Sequence, residues 1–482
     1  MRLFLGIDLG ASSLKACVID DSGKRRAMTR AAVKTLLPAP GHVEQDPHDW
    51  RMALDAALQA LSSADRAQIA GICFSGGAHI GALCDAQARP LQNAIMWADQ
   101  RAAAEAEKLA ADGKVETISG NRPNATWTLP QLIWLGTHRP DIVAATEKLF
   151  FAKDWLAYQL TGVFASDTGE AVGSLMADKK GDWDDELVAL SGLDRAALPP
   201  LYAPMHPVGA VSSKAAKSFG LPENTPVFQG TIDTSMEWLC TPQSDDMASV
   251  KLASAGVLAF STRDALSFPP ISFYPHVRDG LFYHAAGMSD CMGALEWVRQ
   301  NFTPQWDMAH FAEAADEAGL GADGLLFYPY LSGARAPFWD AQLKAELYGL
   351  TRAHKAPAIA RAAFEGVGHV LHAIWDDMSA RLAHQPDRLH VLGGGAEINF
   401  FCQMLADMMN VPLYRGGETD CAFAAALCAA TAGGAFTCLS AAAEAGHVVT
   451  GQFVPDTRAQ EGYALTYERF MARHAKMATP QI

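Results

Sequence analysis

Asp8, Gly10, Ser12, Ser13 and Lys15 crowd into one short stretch, Leu5-Gly6-Ile7-Asp8-Leu9-Gly10-Ala11-Ser12-Ser13-Leu14-Lys15-Ala16-Cys17. An acid, a turn glycine, two hydroxyls and a base on one strand-turn-strand suit a triphosphate. Phosphate oxygens take backbone N–H groups and hydroxyls, and Mg²⁺ takes a carboxylate, usually through water. A lone D-x-G-x-x-x-x-K is equally an ordinary hairpin, so the rest of the chain has to decide. A second strand-turn-strand, Ser249 to Phe260, carries the small-residue turn Ala253-Ser254-Ala255-Gly256. It follows Pro226-Val227-Phe228-Gln229-Gly230-Thr231-Ile232-Asp233 and imitates the opening turn, as a duplicated fold would, although two generic hairpins would also look alike. Farther on, Leu389-His390-Val391-Leu392-Gly393-Gly394-Gly395-Ala396-Glu397-Ile398-Asn399 runs a strand into bare backbone and then a helix, a surface for a flat ligand or a simple tight turn. This triple-glycine segment is neither a Walker P-loop, since no G-K-[ST] occurs in the chain, nor the G-x-G-x-x-G dinucleotide fingerprint.

The elements that must position these residues belong to a large chain. At 482 residues it exceeds the size at which one core stops growing, so two domains with a cleft between them are expected. Hydrophobic residues make up 50% and mean hydropathy is +0.03, which excludes an extended disordered protein. A formal charge of -15 opposes a nucleic-acid surface and favours a small-molecule ligand. Nine cysteines without a C-x-x-C pair read as reduced core thiols in a reducing compartment, and no metal-ligand spacing emerges from them or from the histidines. The N-terminus shows no signal-peptide pattern, so a cytoplasmic protein is expected. The alanine-rich run from Cys421 to Phe436 reads as a buried core helix ending at Gly433-Gly434, not as a membrane span.

Periodicity predicts strands at 3–8, 15–20 and 69–75 and helices near 47–62 and 98–111, an alternation typical of α/β layers. Residues 121–163 read as helix in two pieces, punctuated by Pro123 and Pro130 and closed by Gly162. A helix is expected near 398–410. The polar stretch around 236–246 gives the domain boundary, dividing the chain into 1–240 and 241–482.

Taken in order, the three phosphate-suited turns resemble the FGGY family of carbohydrate kinases, within the actin, Hsp70 and hexokinase-like ATPase fold. Further segments agree. Gly41-His42-Val43-Glu44-Gln45-Asp46-Pro47 with Trp50 is similar to G-x-V-E-Q-D-P…W. Phe74-Ser75-Gly76-Gly77-Ala78-His79-Ile80-Gly81 sits where xylulose kinases of the family carry G-Q-M-H-G, and Trp97-Ala98-Asp99-Gln100-Arg101 resembles W-N-D-x-R. Leu326 to Pro337 is similar to F-L-P-Y-L-S-G-E-R-T-P, and Leu347-Tyr348-Gly349-Leu350 through Gly366 looks like the second family signature. The likeness runs from residue 3 to about 430.

The resemblance implies an α/β, two-lobed, ribonuclease H-like fold with duplicated domains and an interlobe cleft. It implies an ATP- and Mg²⁺-dependent kinase for a ketose, D-xylulose to D-xylulose 5-phosphate, with Asp233 as general base and Asp8 holding Mg²⁺ through water. Gly10, Ser12, Ser13, Lys15, Ser254 and Gly256 would meet the phosphates, and Gly293, Gly394, Gly395, Ala396 and Asn399 the adenosine. Ala78, His79, Asp99, Asp233 and Thr234 would surround the sugar. The expected partners are a small-molecule sugar and a second copy in a homodimer, with no nucleic acid and no membrane.

Departures from the family pattern bear on the substrate. Gly77-Ala78 replaces Gln-Met, Ala98 and Thr234 each replace Asn, and Gln131 replaces Lys. Ala11, Ala253, Ala255, Ala334 and Ala336 also differ from common family residues. These losses keep two alternatives open: a kinase for ribulose, glycerol, erythritol or a similar substrate, and a catalytically silent sugar-binding regulator.

Overall fold

The computed structural model describes residues 2–241, 247–265, 267–268, 270–382 and 385–477. The chain forms two compact units. One comprises Met1–Gln243, Thr262–Tyr283 and Glu418–His447; the other comprises Ser244–Ser261, His284–Gly417 and Val448–Ile482. The returns of 262–283 and 418–447 to the first unit are absent from a single cut at 240/241. Pro242 to Asp246, part of the stretch read as the boundary, lies outside the described residues.

The first unit is built on a sheet of six strands in the order Pro207–Ala210, Pro226–Ile232, Ile69–Gly76, Leu3–Leu9, Ser13–Asp20, Arg25–Ala32. The three middle strands 226–232, 69–76 and 3–9 are parallel, and the flanking ones are antiparallel. Leu3–Leu9 is buried along its whole length, as a central strand covered on both faces must be. Its odd residues Leu3, Leu5, Ile7 and Leu9 share a core with Trp50, Leu54, Phe150 and Trp155. The helix Pro47–Gln59 supplies Trp50 and Leu54; Asp46 caps it by accepting the His48 N–H, and Pro47 stands where no N–H is needed.

Strand alternation sends Phe4, Gly6 and Asp8 to the opposite face. There the helix Cys421–Ala432 lies against them, buried from Cys421 to Thr431. Alanine lets it approach closely: a Cβ on Gly6 would stand 2.0 Å from the Ala422 carbonyl oxygen and 2.2 Å from the Ala426 nitrogen. Gly433 stands beside Phe4 and Ala422 beside Gly6, so the helix N-terminus is the end nearer Asp8. No described helix is long and apolar enough to cross a membrane.

A bulge interrupts the pairing of 226–232 with 69–76 between Phe228 and Thr231. Gly230 sits in it at φ +68°, and a Cβ there would fall 1.7 Å from the Phe74 carbonyl oxygen. The bulge re-aims the strand end that delivers Asp233.

The second unit repeats this topology. Gly256–Thr262, Ala248–Leu252, Leu389–Leu392, Leu413–Gly416 and Val449–Phe453 follow one another, with 248–252, 389–392 and 413–416 parallel and both outer pairings antiparallel. That succession matches 13–20, 3–9, 69–76, 226–232 and 207–210 in the first unit, and it gives the faint self-similarity of the sequence a structural basis.

Two local expectations are corrected. Residues 121–163 form helices Thr128–His138, Pro140–Ala145 and Ala152–Thr161 with the strand Lys148–Phe151 between. Pro130 stands in a helix first turn, where its missing N–H is harmless, so it does not break the chain. The helix expected near 98–111 begins only at Ala103.

Candidate active site

Asp8, the Gly77–His79 turn and Asp233 all stand at the carboxyl ends of adjacent parallel strands, the usual ligand edge of an α/β sheet. Leu9, Gly76 and Ile232 are cross-strand neighbours there. Asp8 pairs with Lys15 on one side and Ser75 on the other. Its Oδ1 is buried and has no hydrogen-bond partner. Burial and the negative charges of Asp233 and Asp420 push its carboxyl up to about 7, against the pull of Ser75 and Lys15.

Asp420 is a residue that the sequence reading missed. It caps the helix Cys421–Ala432 by accepting the Ala422 N–H at 2.9 Å, and its Oδ2 accepts Lys15 Nζ at 2.5 Å. An acid directly before an apolar run is an N-cap pattern, and that was its one sequence signal. Lys15 therefore stands beside Asp8 with its ammonium bonded to Asp420. The turn itself is closed by Gly10 N–H on the Ser13 carbonyl at 3.0 Å, with Ser12 exposed and Ser13 buried. Gln45 braces it: its Nε2 donates to the Ala11 carbonyl at 2.6 Å while its Oε1 accepts the Trp50 indole N–H at 2.8 Å. The Val43–Trp50 motif thus acts as a support for the turn.

Ala78 is partly exposed and His79 is buried, at φ +51°. Burial lowers the imidazole to about 4, so it is neutral at pH 7, and Nδ1 has no hydrogen-bond partner. The ring stacks on Trp127 at 5.2 Å, Trp127 on Tyr274 at 5.7 Å, and Tyr274 on Tyr283 at 5.5 Å. The Tyr283 hydroxyl then meets Thr234 Oγ1 at 2.7 Å. This column joins the expected sugar residues His79 and Thr234 through three aromatic residues that no local motif flagged. Asp233 is half-buried, with Oδ1 accepting the Thr234 N–H at 2.7 Å.

Asp99, expected near the sugar, is engaged within the protein. Its carboxylate is wholly buried; Arg101 donates to Oδ1 at 2.9 Å and to Oδ2 at 2.8 Å, and the Val43 N–H donates to Oδ2 at 2.5 Å. In this structure it anchors the Trp97–Arg101 segment to the Val43–Gln45 strand.

In the second unit, the turn after 248–252, the start of the helix Met292–Phe302 and the triple glycine come together. The Cys291 and Gly293 N–H groups donate to the Ser254 carbonyl at 2.8 and 3.1 Å, and Gly256 packs against Cys291 and Met288. Gly395 lies against Leu252 and Met292, whereas Gly394 faces open space. The carbonyl of Ala396 and Oδ1 of Asn399 accept Arg415 at 2.8 and 3.0 Å, so Arg415 fixes the loop that the sequence reading assigned to adenosine. A separate cavity of about 360 Å³, lined in part by Asp316, Arg361, Gln403 and Tyr463, touches only Asn399 of that set.

Among the described residues no group of three or more His, Cys, Asp or Glu side chains is arranged to hold a metal. A cation held through water by Asp8 still fits: a buried carboxylate with an unpartnered oxygen, destabilised by two neighbouring acids, gains from a divalent charge.

The FGGY family of carbohydrate kinases matches this chain twice, its N-terminal domain over residues 3–240 and its C-terminal domain over residues 254–433. Xylulose kinase of Escherichia coli (strain K12) is 32% identical over 432 residues, spanning 88% of this chain and 89% of that protein. Xylulose kinase of Lactococcus lactis is 28% identical over 97% of this chain and 95% of its own length. The crystal structure of a "xyloylose kinase" from Brucella ovis superimposes with a TM-score of 0.91 at 28% identity, covering 99% of both chains.

Proposed function

Because this chain belongs to the FGGY family of carbohydrate kinases, we propose that it transfers the γ-phosphate of MgATP to a primary hydroxyl of a ketose, converting D-xylulose to D-xylulose 5-phosphate. The meeting of Asp8, His79 and Asp233 at the ends of three adjacent parallel strands carries this reading. The similarity to xylulose kinases supports the sugar.

In the proposed reaction Asp233 accepts the proton of the sugar hydroxyl as that oxygen attacks phosphorus. Phosphoryl transfer is loose, so the proton leaves late and an ordinary carboxylate suffices as base. The neutral imidazole of His79 offers Nδ1 to a sugar hydroxyl, and Ala78 and Thr234 border the same ligand. Ser12, Ser13 and Lys15 receive phosphate oxygens beside Gly10, which closes the turn and keeps it free of a side chain, and the N-terminus of the helix Cys421–Ala432 adds favourable potential for their negative charge. Mg²⁺, when bound, neutralises phosphate charge, and Asp8 would hold it through water. Ser254 and Gly256 are proposed phosphate contacts, and Gly293, Gly394, Gly395, Ala396 and Asn399 adenosine contacts, in the second unit.

A second reading, a kinase for another ketose or a polyol, is favoured by Gly77-Ala78, which leaves the turn before His79 without the amide and thioether of xylulose kinases. A site lacking a hydroxyl's partner loses discrimination for that hydroxyl. Sugar-dependent ADP release across D-xylulose, L-xylulose, ribulose, glycerol and erythritol tests both readings. Turnover on D-xylulose alone supports the first, turnover on another acceptor the second, and binding without turnover would replace both with a sugar sensor.

A further inference from the structure

We propose that Glu170 is a positioning residue for sugar binding: from a buried ionic cluster it captures the His79 N–H and fixes the turn on which the imidazole meets the sugar. The inference rests on the reading of His79 as a sugar ligand.

Lys153, Asp154, Asp167 and Glu170 are at most 2% exposed. Lys153 Nζ bridges Asp154 Oδ1 at 2.5 Å and Asp167 Oδ2 at 2.6 Å. Asp154 is completed by Ser166 at 2.6 Å and Gln229 at 2.7 Å. Asp167 accepts the Thr231 hydroxyl at 2.8 Å, two residues before Asp233. Those two acids are spent on holding the fold. Glu170 is the member that reaches the sugar turn: its Oε2 accepts the His79 N–H at 2.7 Å, and its Oε1 is buried without a partner.

His79 needs such a grip. Its left-handed φ of +51° is unfavourable for a residue with a Cβ and persists only where surrounding contacts impose it. Glu170 holds the N–H, and Thr128 Oγ1 donates to the His79 carbonyl at 2.8 Å, so the residue is clamped on both sides. One cation faces three carboxyls, and burial, then Asp154 and Asp167, outweigh Lys153 in raising Glu170 well above the ordinary carboxyl range. A protonated Glu170 still accepts the N–H through its carbonyl oxygen, and Gln reproduces that arrangement.

Glu170→Ala and Glu170→Gln, in the full-length protein, test this. In Glu170→Ala the His79 amide loses protection from hydrogen exchange and the KM for the ketose rises about tenfold or more, while the KM for ATP stays within twofold; Glu170→Gln restores the protection and the ketose KM. Where the alanine variant does not fold, Thr128→Val loosens the same residue from outside the ionic cluster and raises the ketose KM alone. Unchanged His79 exchange in Glu170→Ala, equal loss in both KM values, or failure of Gln to rescue would overturn the proposal. Exchange requires no sugar. A wild-type protein that phosphorylates no ketose but shows the exchange change in Glu170→Ala therefore removes the kinase reading while leaving the positioning role standing.

Discussion

Replacing Asp8 by Asn should abolish phosphoryl transfer and make the protein more stable. The carboxyl is raised from 3.8 to about 7 by burial and by Asp233 and Asp420, and its Oδ1 has no partner. Asp8 therefore binds its proton more tightly in the folded chain than in the unfolded one. Stability falls as pH rises from about 4 to about 7, and the full loss persists at higher pH. A shift of that size corresponds to about 4 kcal/mol at pH 8. Asn does not ionise and escapes the penalty. For a unit of about 300 residues this is a rise of about 6 °C in thermal midpoint at pH 8. Thermal unfolding of wild type and Asp8→Asn from pH 4.5 to 8.5, with and without MgATP, reads it directly. The gap should widen from pH 4.5 to 7 and then level off, and MgATP should stabilise wild type more than the variant. A variant that melts at or below wild type at pH 8, or a gap independent of pH, would refute the reasoning.

Gly6→Ala drives a Cβ to within 2.0 Å of the backbone of the helix Cys421–Ala432, and should destabilise by about 3 kcal/mol or more; a midpoint within 1 °C of wild type would contradict that packing. Gln45→Ala strands the Trp50 N–H and leaves the Ala11 carbonyl only the long bond from Thr35 Oγ1 at 3.5 Å. Steady-state kinetics should show the KM for MgATP raised about tenfold with the ketose KM unchanged, and a change in the ketose KM instead would place Gln45 elsewhere. His79 is held neutral down to about pH 4, so the ketose KM should show no inflection near 6.5 between pH 5.5 and 8, whereas one attributable to His79 would mean that the ring is solvated. Since that pKa lies below the unfolded value of 6.5, the stability His79 contributes is whole above 6.5 and is lost as pH falls toward 4.

The parts of the site legible in the sequence are those in which chemistry and turn geometry occupy neighbouring positions. Asp8, Gly10 and Lys15 share one hairpin, so type and spacing alone suggested phosphate. Asp420 is 405 residues from the lysine it binds, and only the helix packed on Gly6 brings them together. Trp127, Tyr274 and Tyr283 come from separate segments and look like ordinary core aromatics until stacked beside His79. For Asp99 the motif was visible but its partners were not: what a carboxylate meets depends on the residues around it, and Arg101 bonds both oxygens. The repeated strand order was faintly legible because duplicated turns keep small residues. The return of 262–283 and 418–447 to the first unit was not, since periodicity reports an element's type and not the sheet it joins.

The central claim is tested most directly by incubating the purified protein with Mg²⁺, ATP labelled at the γ-phosphate and D-xylulose, beside Asp233→Ala. Label appearing in D-xylulose 5-phosphate with wild type, and lost in the variant while sugar binding is retained, is the expected result. Equal transfer by Asp233→Ala, or sugar binding with no transfer to any ketose or polyol by wild type, would contradict it.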